Sequence, residues 1–501
     1  MKQPLLVAIA LTLTACGRLP SLEDRPESHA LADTQATALG RAIGPAAREH
    51  PGRSGVYPLL DSRAAFAARV LLARAAERSL DLQYYIWKDD LTGRLLLEEL
   101  YQAADRGVRV RLLLDDNGIA GLDATLAALD AHPNIEVRLF NPFANRRLRW
   151  LGYLTDFSRL NRRMHNKSFT ADNQATIVGG RNVGDEYFDA AEGLMFVDLD
   201  VLAVGPVVRE VSADFDRYWG SGSSYPAERL VAPAETGFGV KAETADTVKY
   251  AEAVKRSAFV RELLQGRLAF DWAVAHVVSD DPAKGLGDLP RDETLLHQLE
   301  QLLGHPREEV DLVSAYFVPA LVGTEMFSEW AKRGVKVRVL TNSFEATDVS
   351  VVHAGYVKRR KRLLQSGVIL YELRALSPPR EARGLAGSSG SSAASLHAKT
   401  FSADRKNVFI GSFNFDPRSA HLNTEMGIVI ESPALAQRIA DKFDSGIPSR
   451  AYEPRLDSAG EIYWIERRDS SSVRYDVEPG TTLWQRLAVR LLSSLPLEWL
   501  L

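Results

Sequence analysis

The string His165-Asn-Lys167-Ser-Phe-Thr-Ala-Asp172 returns as His397-Ala-Lys399-Thr-Phe-Ser-Ala-Asp404. Both copies read His-x-Lys-x-x-x-x-Asp, and both are trailed by a glycine turn and an asparagine, Gly179-Gly180-Arg181-Asn182 and Gly411-Ser412-Phe413-Asn414. Nothing else in the chain limits its fold as sharply, because a pattern repeated with its tail demands two copies of one structural unit. In an extended strand, residues i and i+2 share a face. His165 and Lys167 therefore emerge together, as do His397 and Lys399, while Asn166 and Ala398 face away. Each strand turns near its aspartate and returns through Thr176-Ile177-Val178 or Val408-Phe409-Ile410, which makes a hairpin. The glycines end the return strand where backbone can approach a ligand, beside Asn182 or Asn414. A lone His-x-Lys strand would be an ordinary solvated edge. The duplicated set points instead to phosphoryl transfer through histidine.

The repeat extends beyond the motif. Residues 80–86 match 310–316, with the aspartates offset by 311 − 81 = 230, and residues 106–111 match 333–338 with an offset of 333 − 106 = 227. The motif histidines lie 397 − 165 = 232 apart. Offsets this constant describe two similar domains in tandem. Apolar strands alternating with helical patterns at 95–104 and 325–332 predict an α/β fold, each domain a mixed sheet flanked by helices. The expected boundaries are a first domain at 55–224, a linker at 225–246, a second domain at 247–450 and a C-terminal extension at 451–501.

A net charge of −4 over 501 residues argues against a general nucleic-acid binder. Cys16 is the only cysteine, so an intrachain disulfide and a cysteine metal cluster are both excluded. No carboxylate cluster stands at metal-ligand spacing, and the chemistry is expected to need neither metal nor cofactor. Lys2, a short apolar run at 5–15 and Leu13-Thr14-Ala15-Cys16 read as a secretory signal too short to span a membrane. The last four residues look like a lipobox, with cleavage before Cys16 and lipidation of its thiol; an ordinary signal, or an uncleaved tail with an incidental cysteine, is the alternative. Residues 1–15 are then a signal peptide and 16–54 a tether. The expected location is the bacterial cell envelope, as a membrane-anchored lipoprotein facing the periplasm.

The duplicated motif is similar to that of the phospholipase D superfamily, over about residues 55–501. Tyr84-Tyr85-Ile86-Trp87, Leu112-Leu113-Leu114-Asp115-Asp116-Asn117, Phe157-Ser158-Arg159, the run from Gly411 to Ser419 and the closing run from Leu495 to Leu501 resemble the bacterial cardiolipin synthases, the C-type above all. The lipoprotein-like start departs from that pattern. The resemblance implies two phospholipase D-like domains packed as a pseudo-twofold dimer, with the active site at the seam. One imidazole attacks the phosphodiester and the other protonates the leaving alkoxide, in line on opposite sides of phosphorus. The usual nucleophile of the superfamily is the first-half histidine, so His165 is the carrier and His397 the acid, then base, although the roles can be exchanged. Lys167, Lys399, Asn182, Asn414 and Ser412 can hold the non-bridging oxygens. An orienting carboxylate usually follows the asparagine; Glu425 fits in the second half, and Asp198, or alternatively Asp200, in the first. Asp172 and Asp404, at the turns, are structural more than catalytic.

The acceptor decides the function. Water would give phosphatidic acid, and the glycerol hydroxyl of phosphatidylglycerol would give cardiolipin. The family likeness favours transfer, with phosphatidylglycerol or phosphatidylethanolamine as phosphatidyl donor. The expected partners are these phospholipids and a membrane surface, with no nucleic acid. A phospholipase D or nuclease of the superfamily and a non-catalytic scaffold are the competing classes. Arg146, Arg147, Arg149, Arg159, Arg162 and Arg163, among Trp150, Tyr153 and Phe157, suit either an anionic lipid surface or a solvated basic loop. The basic run 358–362 belongs to a helix that either meets headgroups or is plain surface. Residues 482–495 form a helix that either lies in the membrane interface or packs on its own core. The Gly/Ser-rich stretch 380–395, just before His397, is read as a mobile lid.

Overall fold

A computed structural model describes residues 19–190, 195–234, 237–239, 245–265, 267–287, 289–375, 394–468, 471–495 and 498. In the first half the strands are β1 (Ser54–Leu59), β2 (Ser79–Ile86), β3 (Arg109–Gly118), β4 (Ile135–Phe140), β5 (Ser168–Ala171), β6 (Ala175–Gly179), β7 (Met195–Val197), β8 (Asp200–Val204) and β9 (Ser224–Pro226). In the second they are β10 (Asp271–Ser279), β11 (Glu309–Ser314), β12 (Lys336–Asn342), β13 (Ile369–Leu373), β14 (Ala394–Leu396), β15 (Lys399–Ala403), β16 (Asn407–Gly411), β17 (Met426–Glu431) and β18 (Ala451–Leu456).

The two halves repeat one topology. The first sheet runs β9-β4-β3-β2-β5-β6-β8-β1, and the second runs β18-β13-β12-β11-β15-β16-β17-β10. Only the β2-β3-β4 and β11-β12-β13 ladders are parallel. Parallel strands covered on both faces lose their alternation, which is why Leu112-Leu113-Leu114 is a continuous buried apolar run. The helices Ser62–Ala75, Leu91–Asp105 and Ala320–Lys332 cover these sheets. Asp61 and Asp90 cap the first two by accepting the Ala64 and Gly93 N–H groups.

Three contacts join the halves. Strand β1 pairs antiparallel with β10, Gly55 opposite Trp272, which fuses the two eight-stranded sheets; with the strands Ile462–Arg468 and Ser471–Tyr475 added beyond β18, the fused sheet has 18 strands. Val178 and Val201 of the first half pack with Ile410 and Ile428 of the second in one buried apolar cluster. At the motif itself the backbones cross. Strand β7 pairs in parallel with β14, Val197 opposite Leu396, and a second parallel bridge joins Met164 to Thr424. The arrangement is a pseudo-twofold, and both motif histidines sit at its crossing points.

Each motif hairpin closes on a tight turn. Asp172 and Asn173 have φ +50°, and Asp404 and Arg405 have φ +51°, the left-handed pair of a type I′ turn. The Asp172 carboxylate accepts the N–H groups of Glu77, Arg78 and Ser79 at 3.0, 2.8 and 3.0 Å. Asp404 does the same for Arg307, Glu308 and Glu309 at 3.0, 2.8 and 3.1 Å. Both aspartates thus tie the hairpin to the loop that opens β2 or β11, away from the imidazoles.

Several boundaries differ from the expected ones. Residues 19–54, read as a tether, are docked on the first domain. The Arg111 guanidinium donates to Ser28 O at 2.7 Å, Trp219 Nε1 to Ser28 Oγ at 3.0 Å, and Ala38–Glu49 is a helix. Composition alone missed this, because much of the strap is held through backbone carbonyls such as those of Pro26, Ser28 and Leu31, with Leu39 and Ile43 of its helix packing against the first-half core. Helices Ala245–Lys255 and Ala258–Leu264, assigned by sequence largely to the second domain, bury Tyr250, Val254 and Phe259 in the first-half core. Cys16 and residues 380–393 of the expected lid lie outside the described residues.

Candidate active site

The motif strands deliver the two histidines to one buried site. His165 and His397 are each 7% exposed, and Lys167 and Lys399 each 1%. The His165 N–H donates to Thr424 O at 2.9 Å, and the His397 N–H donates to Val197 O at 2.8 Å, so each histidine backbone is held by the other half. The side chains cross in the same way. His165 Nδ1 lies 2.8 Å from Glu425 Oε2, and His397 Nδ1 lies 2.6 Å from Asp198 Oδ2. Each carboxylate follows the residue whose carbonyl holds the same histidine, so a single cross-seam register sets both contacts. With Nδ1 engaged, Nε2 of each ring is the atom left for chemistry. Lys167 Nζ donates to His165 O at 2.5 Å, and Lys399 Nζ donates to His397 O. Aromatic edges complete the frame. Tyr85 stands 5.1 Å from the His165 ring, and Tyr187 and Phe196 stand 5.2 and 5.0 Å from the His397 ring.

The electrostatics of the two pairs are unequal. Burial lowers the His165 pKa well below the usual histidine value, helped by Lys167, Lys399 and Arg418. His397 falls to about 4, through burial and Lys399, with Asp198 acting against them. Burial raises Glu425 to about 7, opposed by Lys167 and the Ser412 hydroxyl. Burial also acts upward on Asp198, but His397, Lys399 and Arg181 outweigh it and hold this carboxyl well below the carboxylate range. Both lysines are pushed down by burial, Lys399 to about 8 and Lys167 well below its usual value. Asp198 is therefore a firm anion, whereas Glu425 titrates near neutrality.

The remaining expected residues divide. Asn182 Oδ1 accepts from Ile86 N–H at 3.2 Å, and its Nδ2 donates to the Tyr187 hydroxyl at 3.0 Å, so both ends are engaged inside its own half. Asn414 Oδ1 has no partner among the described residues. Ser412 Oγ donates to Glu425 Oε2 at 2.5 Å and accepts the Met426 N–H at 3.0 Å; it braces a carboxylate rather than facing open space for a phosphate. Its first-half counterpart is Gly180, where an added Cβ would stand 2.3 Å from Asp198 Oδ1. Asp200, the alternative orienter, is paired instead with Arg69 at 2.8 Å and Arg181 at 3.4 Å. Tyr85, Tyr187, Phe196 and Arg418 were not identified from the sequence; Tyr85 was quoted only as part of the family resemblance. Glu425 and Asp198 were expected as orienters from the family resemblance, with Asp200 as the alternative in the first half, but nothing in the chain indicated that they cross.

The arginine-rich stretch is mostly turned inward. Arg146 and Arg149 serve Asp116 and Asp123, Arg163 serves Asp115, Arg159 serves Asp156, and Arg162 donates to three backbone carbonyls. The basic run 358–362 is likewise neutralised internally, with Arg360 buried between Glu372 and Glu478, and Arg359 on Glu498. These charges reflect folding rather than a free headgroup surface.

Two histidines, each locked by a carboxylate and flanked by a lysine, on a duplicated mixed sheet, define a histidine-dependent phosphodiester enzyme with two phospholipase D-like domains. The chain belongs to the family of cardiolipin synthase PLD-like domains, whose model matches residues 71–219 and 299–447. It is 52% identical over 476 residues to cardiolipin synthase C of Escherichia coli, covering 92% of this chain and 99% of that protein. It is 25% identical over 366 residues to cardiolipin synthase B of Salmonella typhimurium, covering 73% of this chain and 74% of the relative. Among solved structures it resembles the phosphatidylserine synthase of Haemophilus influenzae, with a TM-score of 0.59 at 13% identity, covering 91% of this chain and 99% of the other.

Proposed function

We propose that this enzyme moves a phosphatidyl group onto phosphatidylglycerol and so makes cardiolipin. His165 Nε2 attacks phosphorus, the P–O bond to the donor's headgroup alcohol breaks, and His397 supplies the proton that this alkoxide takes up. His397 then removes the proton of the incoming glycerol hydroxyl, which displaces His165 and restores the free site. Lys167 and Lys399 hold the non-bridging oxygens where charge builds in the transition state. The donor is phosphatidylglycerol or phosphatidylethanolamine.

The observation that carries the assignment of roles is the inequality of the two crossed pairs. Asp198 raises His397 against burial and Lys399, which still hold it at about 4 in the free site, and the negative charge of an incoming phosphodiester raises it further toward the imidazolium that an acid requires. Glu425 near neutrality leaves His165 uncharged, as a nucleophile requires. Transfer rather than hydrolysis is supported by the extent of likeness to cardiolipin synthase C.

We place the enzyme in the bacterial envelope as a lipoprotein anchored through Cys16 and facing the periplasm. Among the described residues no helix is long and apolar enough to cross a membrane. Labelled palmitate incorporated by the wild type but not by Cys16→Ser would support the anchor, and equal labelling would exclude it.

The test of function is product formation from labelled phosphatidylglycerol, with and without phosphatidylethanolamine, beside His165→Ala. Cardiolipin that depends on His165 is expected. Phosphatidic acid alone would make water the acceptor and reassign the enzyme to hydrolysis.

A further inference from the structure

Two short helices, one from each half, are linked through short chains of contacts to the motif strands and turn large apolar side chains to the outside. In the first half, helix Arg149–Thr155 reaches the site through Tyr153, whose hydroxyl donates to Asn117 Oδ1 at 3.0 Å. The Asn117 N–H donates to Asp115 Oδ1 at 2.9 Å, and Asp115 Oδ2 accepts the N–H of Met164, the residue before His165, at 2.8 Å. On this helix Trp150 is 61% and Leu154 74% exposed. In the second half, helix Leu483–Ser494 follows Gly480, which rests on Glu345. Three residues further, Asp348 accepts the Tyr316 hydroxyl at 2.8 Å, and Tyr316 follows by two residues Ser314, which pairs with Lys399. The far end of this helix lines a shallow cleft with Val351, Gly355 and Lys358, on the opening turns of helix Ser350–Gln365. It buries Val489 but leaves Trp484 78% and Leu491 66% exposed.

Monomers rarely show two such apolar surfaces, and here each is tied by contacts to one of the two motif strands. Arginine on one face with Trp and Leu on the other is the signature of a helix lying in a bilayer interface. The guanidiniums of Arg146, Arg149 and Arg159 are already spent on Asp116, Asp123 and Asp156, so this surface offers insertion rather than charge. A second copy seated there would cover the surface that a bilayer must reach.

We propose that these two helices are the bilayer-docking surface of the enzyme, with Trp150, Leu154, Trp484 and Leu491 entering the acyl-chain boundary so that the site is held at the lipid. This rests on the lipid-transfer reading above. Two double variants of the full chain test it, Trp150→Ser with Leu154→Ser, and Trp484→Ser with Leu491→Ser. Turnover of long-chain phosphatidylglycerol in vesicles with phosphatidylethanolamine is compared with turnover of monomeric dihexanoyl lipid. Each pair should lose about tenfold or more on vesicles and stay within about twofold on the monomeric lipid. Independently of turnover, vesicles with brominated acyl chains should quench wild-type tryptophan fluorescence, and the Trp150→Phe, Trp484→Phe protein should lose most of that quenching. Undiminished vesicle turnover in both double variants, or equal loss on both lipid forms, would overturn the proposal. A dimer that becomes monomeric in either variant, with quenching intact, would also overturn it and assign the surface to a second copy. If quenching follows the tryptophans but no lipid is transferred, docking stands and the transfer reading fails.

Discussion

Asp198→Asn removes one charge and almost no volume from the site, and its effect can be worked out from the contacts. Asp198 Oδ2 is 2.6 Å from His397 Nδ1, and Oδ1 accepts the Leu199 N–H at 2.8 Å. The amide can keep the second contact. It loses the charge-assisted bond to the imidazole, about 1.5–3 kcal/mol, and the carboxylate that stabilises an imidazolium in flight. The same substitution of a histidine-orienting carboxylate in serine-protease triads lowers kcat about 10⁴-fold, equivalent to about 5.5 kcal/mol. A loss of about 10³–10⁴ in kcat is therefore expected here. A second readout separates this from simple damage. Asp198 is the first of the charges that hold Lys399 up against desolvation at about 8. Protonated Lys399 is present below that value, so wild-type activity should fall as pH rises through about 8. In Asp198→Asn this alkaline limb should move to lower pH. The assay is kcat and kcat/KM for cardiolipin formation across the neutral and alkaline range, with near-ultraviolet circular dichroism to confirm folding. A folded variant that keeps kcat within about threefold and leaves the alkaline limb in place would refute the crossed His397–Asp198 pairing as a catalytic device.

Asp172→Ala should act on stability rather than chemistry; losing three backbone N–H acceptor contacts should cost about 3 kcal/mol by urea unfolding, with activity per folded molecule within about tenfold of wild type. The half-buried Asp404 should cost less by the same measurement. Gly180→Ala would place Cβ 2.3 Å from Asp198 Oδ1, so the carboxylate must shift, and kcat should fall about 10²-fold without comparable loss in Tm. Ser412→Ala deletes a contact that lowers the Glu425 pKa, so Glu425 should rise above about 7 and the acid limb of the pH–rate profile should move upward. Arg69→Met strands Asp200 in the core with only the longer Arg181 contact and should destabilise by about 3–5 kcal/mol in chemical denaturation, a larger effect than any exposed ion pair would give.

Much of this molecule was already legible in the chain because its main signals are local. A period of two places His and Lys on one face of a strand wherever that strand ends up, and the offsets of 227 to 232 residues required two equivalent domains. The motif aspartates showed themselves as turn residues for the same reason, since a type I′ turn and its backbone acceptor are satisfied within a short reach of chain. Charge was misleading where it was plentiful. The arginines before His165 were open between a lipid surface and a solvated loop, and the run at 358–362 read as plain surface or headgroup-facing; instead their carboxylate partners lie up to 139 residues away in sequence, as Glu498 does from Arg359. The docked strap at 19–54 was hidden likewise, because backbone carbonyls carry no sequence signal.

Residue type and spacing thus determined, without any coordinates, the two domains and the four catalytic-type side chains, while the choice between Asp198 and Asp200 stayed open. Tertiary structure alone decided that each carboxylate serves the histidine of the other half, that Ser412 braces Glu425, and that Trp150 and Trp484 are left exposed. Those relations depend on how two surfaces more than 200 residues apart meet, and such pairing is set by the register of β7 on β14 and of Met164 on Thr424, which no local pattern encodes.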